Sequence, residues 1–108
     1  MYSKHPLLNQ VHHALVESQA IDITVIDVSS HTPITDYMVI CSGRSSRHVS
    51  AIAEQLMTHL KTKGFPSLNH HGLQTGDWAL VDLGDVVVHV MQPATRAFYN
   101  IEGLWQHE

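Results

Sequence analysis

The chain has 108 residues, of which 44% are hydrophobic and 15% are charged. This length and composition predict one globular domain spanning residues 1–108, and they exclude a disordered chain. Ten carboxylates outnumber six lysines and arginines, so the formal net charge is −4. That balance argues against direct recognition of nucleic acid, which relies on clustered cations that neutralise phosphates, and it suits a basic partner surface instead.

Nothing in the sequence predicts insertion into a membrane or export. The longest apolar runs are far shorter than the ~20 residues needed to span a bilayer, and the first six residues lack the hydrophobic core of a signal peptide. Cys41 is the only cysteine, so an internal disulfide is impossible. We therefore expect a soluble protein of the reducing cytoplasm.

The first part of the chain predicts one helix followed by two paired strands. Apolar residues recur at helical spacing over residues 7–19, which indicates an amphipathic helix. The β-branched run at 21–28 and the apolar run Tyr37–Ser42 indicate strands. The loop between them contains Pro33 and is short, so we expect the two strands to pair antiparallel.

A second amphipathic helix is predicted to begin shortly after these strands. Its apolar positions repeat at i, i+3, i+4 and i+7. Ser45 or Ser46 is placed to cap its N-terminus, because a side-chain oxygen there accepts a hydrogen bond from an unpaired amide. Gly64 fits the C-terminal cap, and residues 67–71 are predicted to form a short edge strand.

The last part of the chain predicts a β-hairpin and a terminal helix. Residues 78–83 and Val86–Met91 are β runs joined by Gly84 and Asp85, and glycine supplies the positive φ that a two-residue hairpin turn needs. The predicted order is α-β-β-α-β-β-β-α, which implies an α/β (α+β) domain with a mixed five-stranded sheet packed against helices. The terminal helix begins at Pro93, and its predicted apolar stripe is Ala94, Ala97, Phe98, Ile101, Leu104 and Trp105.

The hairpin register divides the side chains of its strands between two faces. One face is apolar and is predicted to be core: Ala79, Val81, Leu83, Val86, Val88 and Val90. The opposite face is mixed: Trp78, Leu80, Asp82, Val87, His89 and Met91. If exposed, the mixed face would form an apolar patch typical of a protein-binding site. If covered by the terminal helix, it would need a partner for the Asp82 carboxylate, either a backbone amide or Arg96. Both interpretations stay open.

Charge along the hairpin region favours a binding role. Between Gly64 and Thr95 the chain carries three carboxylates, Asp77, Asp82 and Asp85, and no lysine or arginine. A basic partner would be attracted to this segment, mainly through faster encounter. The alternative is that Asp77 and Asp85 are ordinary turn residues, and for Asp85 that alternative is the stronger one.

No catalytic constellation is recognisable in the sequence. The turn at residues 43–46 precedes a helix, as phosphate-binding turns do, but it lacks the Walker sequence and the dinucleotide fingerprint. Nucleotidyl transfer uses a similar turn together with closely spaced carboxylates on a divalent metal. Asp82 and Asp85 lie across a turn from each other and do not form such a pair. Cys41 lies in an apolar strand, where a free cysteine is usually a core residue.

Ten histidines raise the question of a metal site. His12 and His13, like His70 and His71, are adjacent, and adjacent side chains diverge on a helix or a strand. No H-x-x-x-H or cysteine–histidine ligand spacing is present. We therefore expect no dedicated metal site and no cofactor.

Two segments carry a family resemblance. Residues 35–49 and 76–91 resemble the two signatures of the ribosomal silencing factor family, also called the Iojap-related family, and the likeness extends over most of the chain. The most specific pattern is Trp-x-x-x-Asp-x-Gly-Asp-x-x-x-His from Trp78 to His89, followed by Arg-x-x-Tyr from Arg96. No signature position departs from the family pattern.

The resemblance implies a binding protein and not an enzyme. Members of this family bind the large ribosomal subunit at its fourteenth protein, block joining of the small subunit, and thereby lower translation when nutrients are scarce. Their fold is similar to the nucleotidyltransferase fold without its catalytic carboxylates, and members have been seen as homodimers. We therefore expect the same partner here, with a homodimer left open.

The mixed face and the terminal helix supply the predicted partner-binding residues, which are Asp77, Trp78, Asp82, Asp85, His89, Met91 and Tyr99. Trp78, Met91 and Tyr99 are expected to act as apolar anchors. The carboxylates are expected to pair with lysine or arginine of the ribosomal protein, unless Arg96 and His89 hold them internally. Two other functions stay open: a nucleotidyltransferase-like protein acting on a nucleotide or RNA, and a homodimeric scaffold that uses the mixed face as its self-interface.

Overall fold

Five strands and four helices make up residues 4–105, the part of the chain that the computed structural model describes. The order confirms the predicted one, except that the predicted terminal helix is two helices. Among these residues, no helix is both long and apolar enough to cross a membrane. The elements are α1 (Pro6–Glu17), β1 (Ile21–Asp27), β2 (Tyr37–Ser42), α2 (Ser46–Thr62), β3 (Asn69–His71), β4 (Trp78–Asp82), β5 (Val86–Met91), α3 (Pro93–Tyr99) and α4 (Ile101–Trp105).

The strands form one mixed sheet in the order β1-β2-β5-β4-β3. The interior strands β2 and β5 run parallel, with Tyr37 opposite Val86 at their starts. The other three pairings are antiparallel, which confirms both the β1–β2 pair and the β4–β5 hairpin. The hairpin register is the predicted one, with Val81 opposite Val88.

The larger core lies between one face of the sheet and the helices α1 and α2. It contains all six residues that the hairpin register predicted for the core face, together with the buried stripes of both helices. The helical period of 3.6 residues places one apolar stripe of each helix on the sheet, while the strand period of two directs alternate side chains toward it. The fold class is therefore confirmed as mixed α/β.

The start and end of α2 follow from local hydrogen bonding. The Ser45 hydroxyl oxygen accepts a hydrogen bond from the His48 amide at 3.1 Å, so Ser45 is the N-cap and Ser46 is the first helical residue. Gly64 follows the last turn with φ of 90°, a left-handed conformation that glycine adopts without a steric penalty. Lys63 is the C-cap residue of α2, and the predicted Gly64 directly follows it and ends the helix.

A smaller core lies on the opposite face of the sheet. Trp78 from β4, with Ile101 and Trp105 from α4, packs against its buried members. The mixed face is therefore covered in part: α4 packs at its Trp78 and Met91 end, while Leu80, Asp82 and Val87 stay partly exposed. The buried members are Ile26, Val28, Met38, Ile40 and Met91.

The predicted single terminal helix with a core-facing stripe is wrong. Asn100 adopts a left-handed conformation, with φ of 45° and ψ of 50°, and separates α3 from α4. Asparagine tolerates this conformation better than most residues. Neither helix has a buried residue, and Phe98 and Leu104 are 81% and 69% exposed.

The backbone of Gly76, just before β4, approaches the first residue of α2 closely, and substitution tests this contact. Its φ is 67°, and a Cβ added there would overlap the backbone oxygen of Ser46. Gly64 also has positive φ but open space around it. We expect Gly76→Ala to lower the free energy of unfolding by more than about 3 kcal/mol, and Gly64→Ala by about 1 kcal/mol. Urea unfolding measures both, and equal losses would contradict the close approach.

Candidate partner-binding site

An aromatic cluster of four side chains, Trp78, His89, Phe98 and Tyr99, lies where β4 begins and α3 ends. The Tyr99 ring centroid is 4.9 Å from that of Trp78 and 5.0 Å from that of Phe98. Exposure rises along the cluster, from His89 at 7% through half-buried Trp78 to Tyr99 at 52% and Phe98 at 81%. The cluster therefore presents aromatic surface to a partner while being anchored in the sheet.

His89 is the polar support at the base of the cluster. The Trp78 indole N–H donates a hydrogen bond to His89 Nδ1 at 3.0 Å. Indole is a donor only, so Nδ1 must be the unprotonated nitrogen of a neutral imidazole. Burial lowers the pKa of His89 to about 4, because desolvation disfavours the charged form. At neutral pH the histidine is thus an uncharged acceptor that fixes the Trp78 ring.

Met91 was predicted to be an apolar anchor for a partner, and this prediction is wrong. Met91 pairs with Trp78 across the hairpin, but it has no exposed surface and belongs to the smaller core. It is buried with Met38 and Ile40 of β2, and Trp78 and α4 pack against the same cluster. His89 is likewise too buried to offer more than an edge to a partner.

The three predicted carboxylates do not lie together. Asp77 lies beside Trp78, and its Oδ1 accepts a hydrogen bond from the Thr95 hydroxyl at 2.7 Å. Asp82 lies at the other end of β4, where its Oδ1 accepts from the Gly84 amide at 2.9 Å. A strand rises ~3.3 Å per residue, so Trp78 and Asp82 are separated by roughly 13 Å along β4.

Asp85 is exposed in the hairpin turn, beyond Asp82. Its backbone oxygen accepts hydrogen bonds from Asp36 and Tyr37, which ties the loop before β2 to the turn. The seven predicted site residues thus divide into an aromatic end with one carboxylate and a turn end with two. The interpretation of Asp82 as a residue bonded to a backbone amide is confirmed.

Arg96 and His89 do not hold these carboxylates. Arg96 donates from Nε to Glu102 Oε2 at 2.9 Å, and His89 accepts from Trp78. The alternative that these two residues neutralise the hairpin aspartates is therefore wrong. The Asp77 and Asp85 carboxylates stay available to a partner cation because both residues are exposed.

Phe98 and Leu104 are exposed apolar residues that the sequence did not identify as site residues. Both fell on the predicted core stripe of one continuous helix. The signal that pointed elsewhere was Asn100, a residue type suited to the left-handed end of a helix. If Asn100 had been interpreted as a helix end, Phe98 and Leu104 would not have been assigned to one continuous core stripe.

The other residues considered for catalysis or metal binding have structural roles or lack partners for such chemistry. Ser45 caps α2. Cys41 is fully buried, and burial raises the pKa of its thiol to about 12, which leaves it unreactive as a nucleophile. His13 and His59 approach each other between α1 and α2, with ring centroids 5.8 Å apart. Across residues 4–105 no three histidine, cysteine, aspartate or glutamate side chains converge as metal ligands.

The buried histidine predicts a specific pH dependence of stability. Its pKa in the folded protein is about 4, below the ordinary value of about 6.5 for an exposed histidine. The unfolded chain therefore binds a proton at this residue first as pH falls below ~6.5, so the contribution of His89 to stability decreases down to pH ~4 and then levels off. The contribution of His89 to this loss is up to about 3 kcal/mol. Urea unfolding of wild type and His89→Asn at pH 7.5 and 4.5 measures it, and equal pH slopes would refute it.

Comparisons with known proteins agree with the family resemblance of the two sequence signatures. A family model described as "Ribosomal silencing factor during starvation" matches residues 2–108. A ribosomal silencing factor from Haemophilus influenzae is 48% identical over 84 residues, covering 78% of this chain and 82% of the relative. A mouse protein named "Mitochondrial assembly of ribosomal large subunit protein 1" is 42% identical over 94 residues, covering 84% of this chain and 41% of its own length.

A crystal structure of a Chromobacterium violaceum protein superposes on this fold with a TM-score of 0.92 and 38% identity, covering 95% of this chain and 86% of the other. Sequence, family model and structure therefore agree, and the resemblance is confirmed: the chain belongs to the ribosomal silencing factor family.

Proposed function

We propose that this protein binds the large ribosomal subunit through the fourteenth protein of that subunit, blocks joining of the small subunit, and so lowers translation when nutrients are scarce. The family description supports a role in silencing ribosomes during starvation. The name of the mouse relative supports a link to the large subunit. On this proposal the protein is a cytoplasmic binding protein and not an enzyme.

The observation that carries the proposal is the exposed part of the aromatic cluster. Phe98 and Tyr99 keep most of their surface in water although apolar cores lie on both faces of the sheet. Large aromatic side chains are the commonest anchors of protein interfaces, because they bury much area while losing few rotamers. A surface that keeps them exposed in the free chain is suited to a protein partner.

The charge of the chain supports a basic partner. The net charge is −4, and Asp77 and Asp85 are exposed at the two ends of the hairpin. Ribosomal proteins neutralise RNA phosphates with lysine and arginine, so their free surfaces tend to be basic. Complementary charge speeds encounter and selects orientation, while the aromatic contacts supply affinity.

Steric exclusion is sufficient to explain silencing on this proposal. The chain measures 35 × 32 × 24 Å. A body of that size bound on the face that meets the small subunit would hold the two subunits apart. No chemical step is needed, and the free energy of binding competes directly with the free energy of subunit association.

The nucleotidyltransferase alternative has less support. That chemistry needs carboxylates that converge on a divalent metal. The Asp82 carboxylate is engaged by the hairpin turn, and the side chain of Ser45 is engaged as a helix cap. The likeness of the fold to that of nucleotidyltransferases stays a prediction.

Truncation of the exposed aromatics tests the site. Phe98→Ala and Tyr99→Ala should each weaken binding to isolated large subunits by at least about 30-fold, the loss typical of an interface anchor. Because Phe98 is 81% exposed, its removal should leave thermal unfolding almost unchanged. Ile34→Ala removes another highly exposed apolar side chain, from the loop before β2, and serves as the control. Co-sedimentation and a subunit-joining assay are the measurements.

Three results would contradict the proposal in different ways. Unchanged affinity of both aromatic variants, with intact folding, would reject the site. Absence of wild-type binding to large subunits at micromolar concentration would reject the function. A dimer of the wild-type protein that becomes monomeric in Trp78→Ala, measured by light scattering without any ribosome binding, would favour the homodimeric scaffold instead.

Charge reversal tests the turn end separately. Asp85 is exposed, and the hydrogen bonds from Asp36 and Tyr37 go to its backbone oxygen, so Asp85→Lys should fold normally. We expect it to slow association with large subunits about threefold or more at low salt, and to weaken the dependence of the rate on salt. Glu54→Lys makes the same charge change on exposed α2. Equal effects of the two variants would mean that only net charge matters and that Asp85 is no contact.

A further inference from the structure

The helices α3 and α4 carry the exposed aromatics but bury no residue of their own. They are 7 and 5 residues long, far below the ~12–15 residues at which an isolated helix becomes marginally stable. Contacts with the sheet must therefore determine where the two helices lie.

Arg96 makes the most extensive of these contacts. Its Nε donates to Glu102 Oε2 at 2.9 Å, its Nη1 to Ser42 Oγ at 3.1 Å, and its Nη2 to Thr24 Oγ1 at 3.1 Å. One side chain on α3 thus joins α4, β2 and β1. The side chains of Arg96 and Glu102 are 12% and 19% exposed, so solvent screens the ion pair only weakly.

The planar guanidinium is well suited to this arrangement. Its nitrogens donate in fixed, divergent directions from one rigid group, which a lysine ammonium on a flexible stem cannot reproduce. Glu102 depends on the contact as well, because its Oε1 is buried and has no hydrogen-bond partner among residues 4–105. Without Arg96, the Glu102 carboxylate would be left shielded from water and unpaired, which is costly.

We propose that Arg96 is the positioning residue of the partner-binding site. It holds α3 and α4 against the sheet, so that the Tyr99 ring, three residues further on, stays in contact with the Trp78 ring and Phe98 is presented at a fixed position. This inference rests on the proposed function. Preorganised anchors bind more tightly because the cost of ordering them is already met in the free protein.

A positioning role and a purely structural role predict different results for Arg96→Gln. In the positioning role, backbone amides of residues 94–105 exchange with solvent at least about tenfold faster, while those of β5 keep their protection. Affinity for large subunits falls at least about tenfold, although the fold survives. Arg47→Gln, at an exposed position on α2, is the control and should change neither quantity.

Two further variants sharpen the test. Arg96→Lys keeps the charge but not the planar array of N–H donors. It should therefore retain only a small part of the wild-type amide protection and affinity. Arg96→Gln combined with Glu102→Gln should lose no more affinity than Arg96→Gln alone, because the two residues act as one unit. Glu102→Gln by itself serves as the probe if Arg96→Gln does not fold, and it should loosen residues 94–105 in the same way.

Amide exchange and ribosome binding separate the failure of this inference from the failure of the proposed function. Unchanged protection of residues 94–105 in Arg96→Gln overturns the inference. So does faster exchange with wild-type affinity, since the helices would then not need to be held. Wild-type protein that binds neither subunit overturns the proposed function and this site role with it.

Discussion

The parallel pairing of β2 with β5 is the contact on which the rest of the structure depends. Nearly every residue of these two interior strands is buried, so both faces of the sheet need a cover. Parallel neighbours also require a long crossover, and that crossover contains α2, which covers one face together with α1. The opposite face is left to the residues that follow β5. The same pairing places Ser42 opposite Met91, within reach of the Arg96 side chain one turn into α3.

The cover on that second face is short, and its shortness explains the exposed aromatics. Ile101 and Trp105 pack on the smaller core, while Phe98, in α3 before the turn at Asn100, is exposed. Arg96 joins the two short helices to the sheet by polar contacts, and the chain keeps apolar surface exposed that a partner can bury.

Sequence patterns predicted the fold well where the determining contacts are local. The two-residue turn at Gly84 and Asp85 set the hairpin register, and with it all six core residues of that face. The prediction of Met91 as an anchor was wrong because the burial of this residue depends on α4. The path of α4 is determined at Asn100 and not by apolar spacing. The hydrogen-bond partners of Arg96 were not predicted for a similar reason, since Ser42 and Thr24 lie 54 and 72 positions away in the sequence. No local pattern carries that information.

The hydrogen bond from Trp78 to His89 shows why an imidazole occupies the base of the aromatic cluster. A half-buried indole N–H needs an acceptor, and a neutral histidine supplies one while its ring still packs as an apolar surface. A carboxylate there would introduce a buried charge with no cation beside it, and an aliphatic residue would leave the N–H unpaired. The exposed carboxylates stand outside this apolar centre, with Asp77 at one end of the hairpin and Asp85 at the other. On the proposed function, the charges at the two ends of the hairpin orient an approaching basic surface. The aromatic cluster then determines the rate at which the partner dissociates.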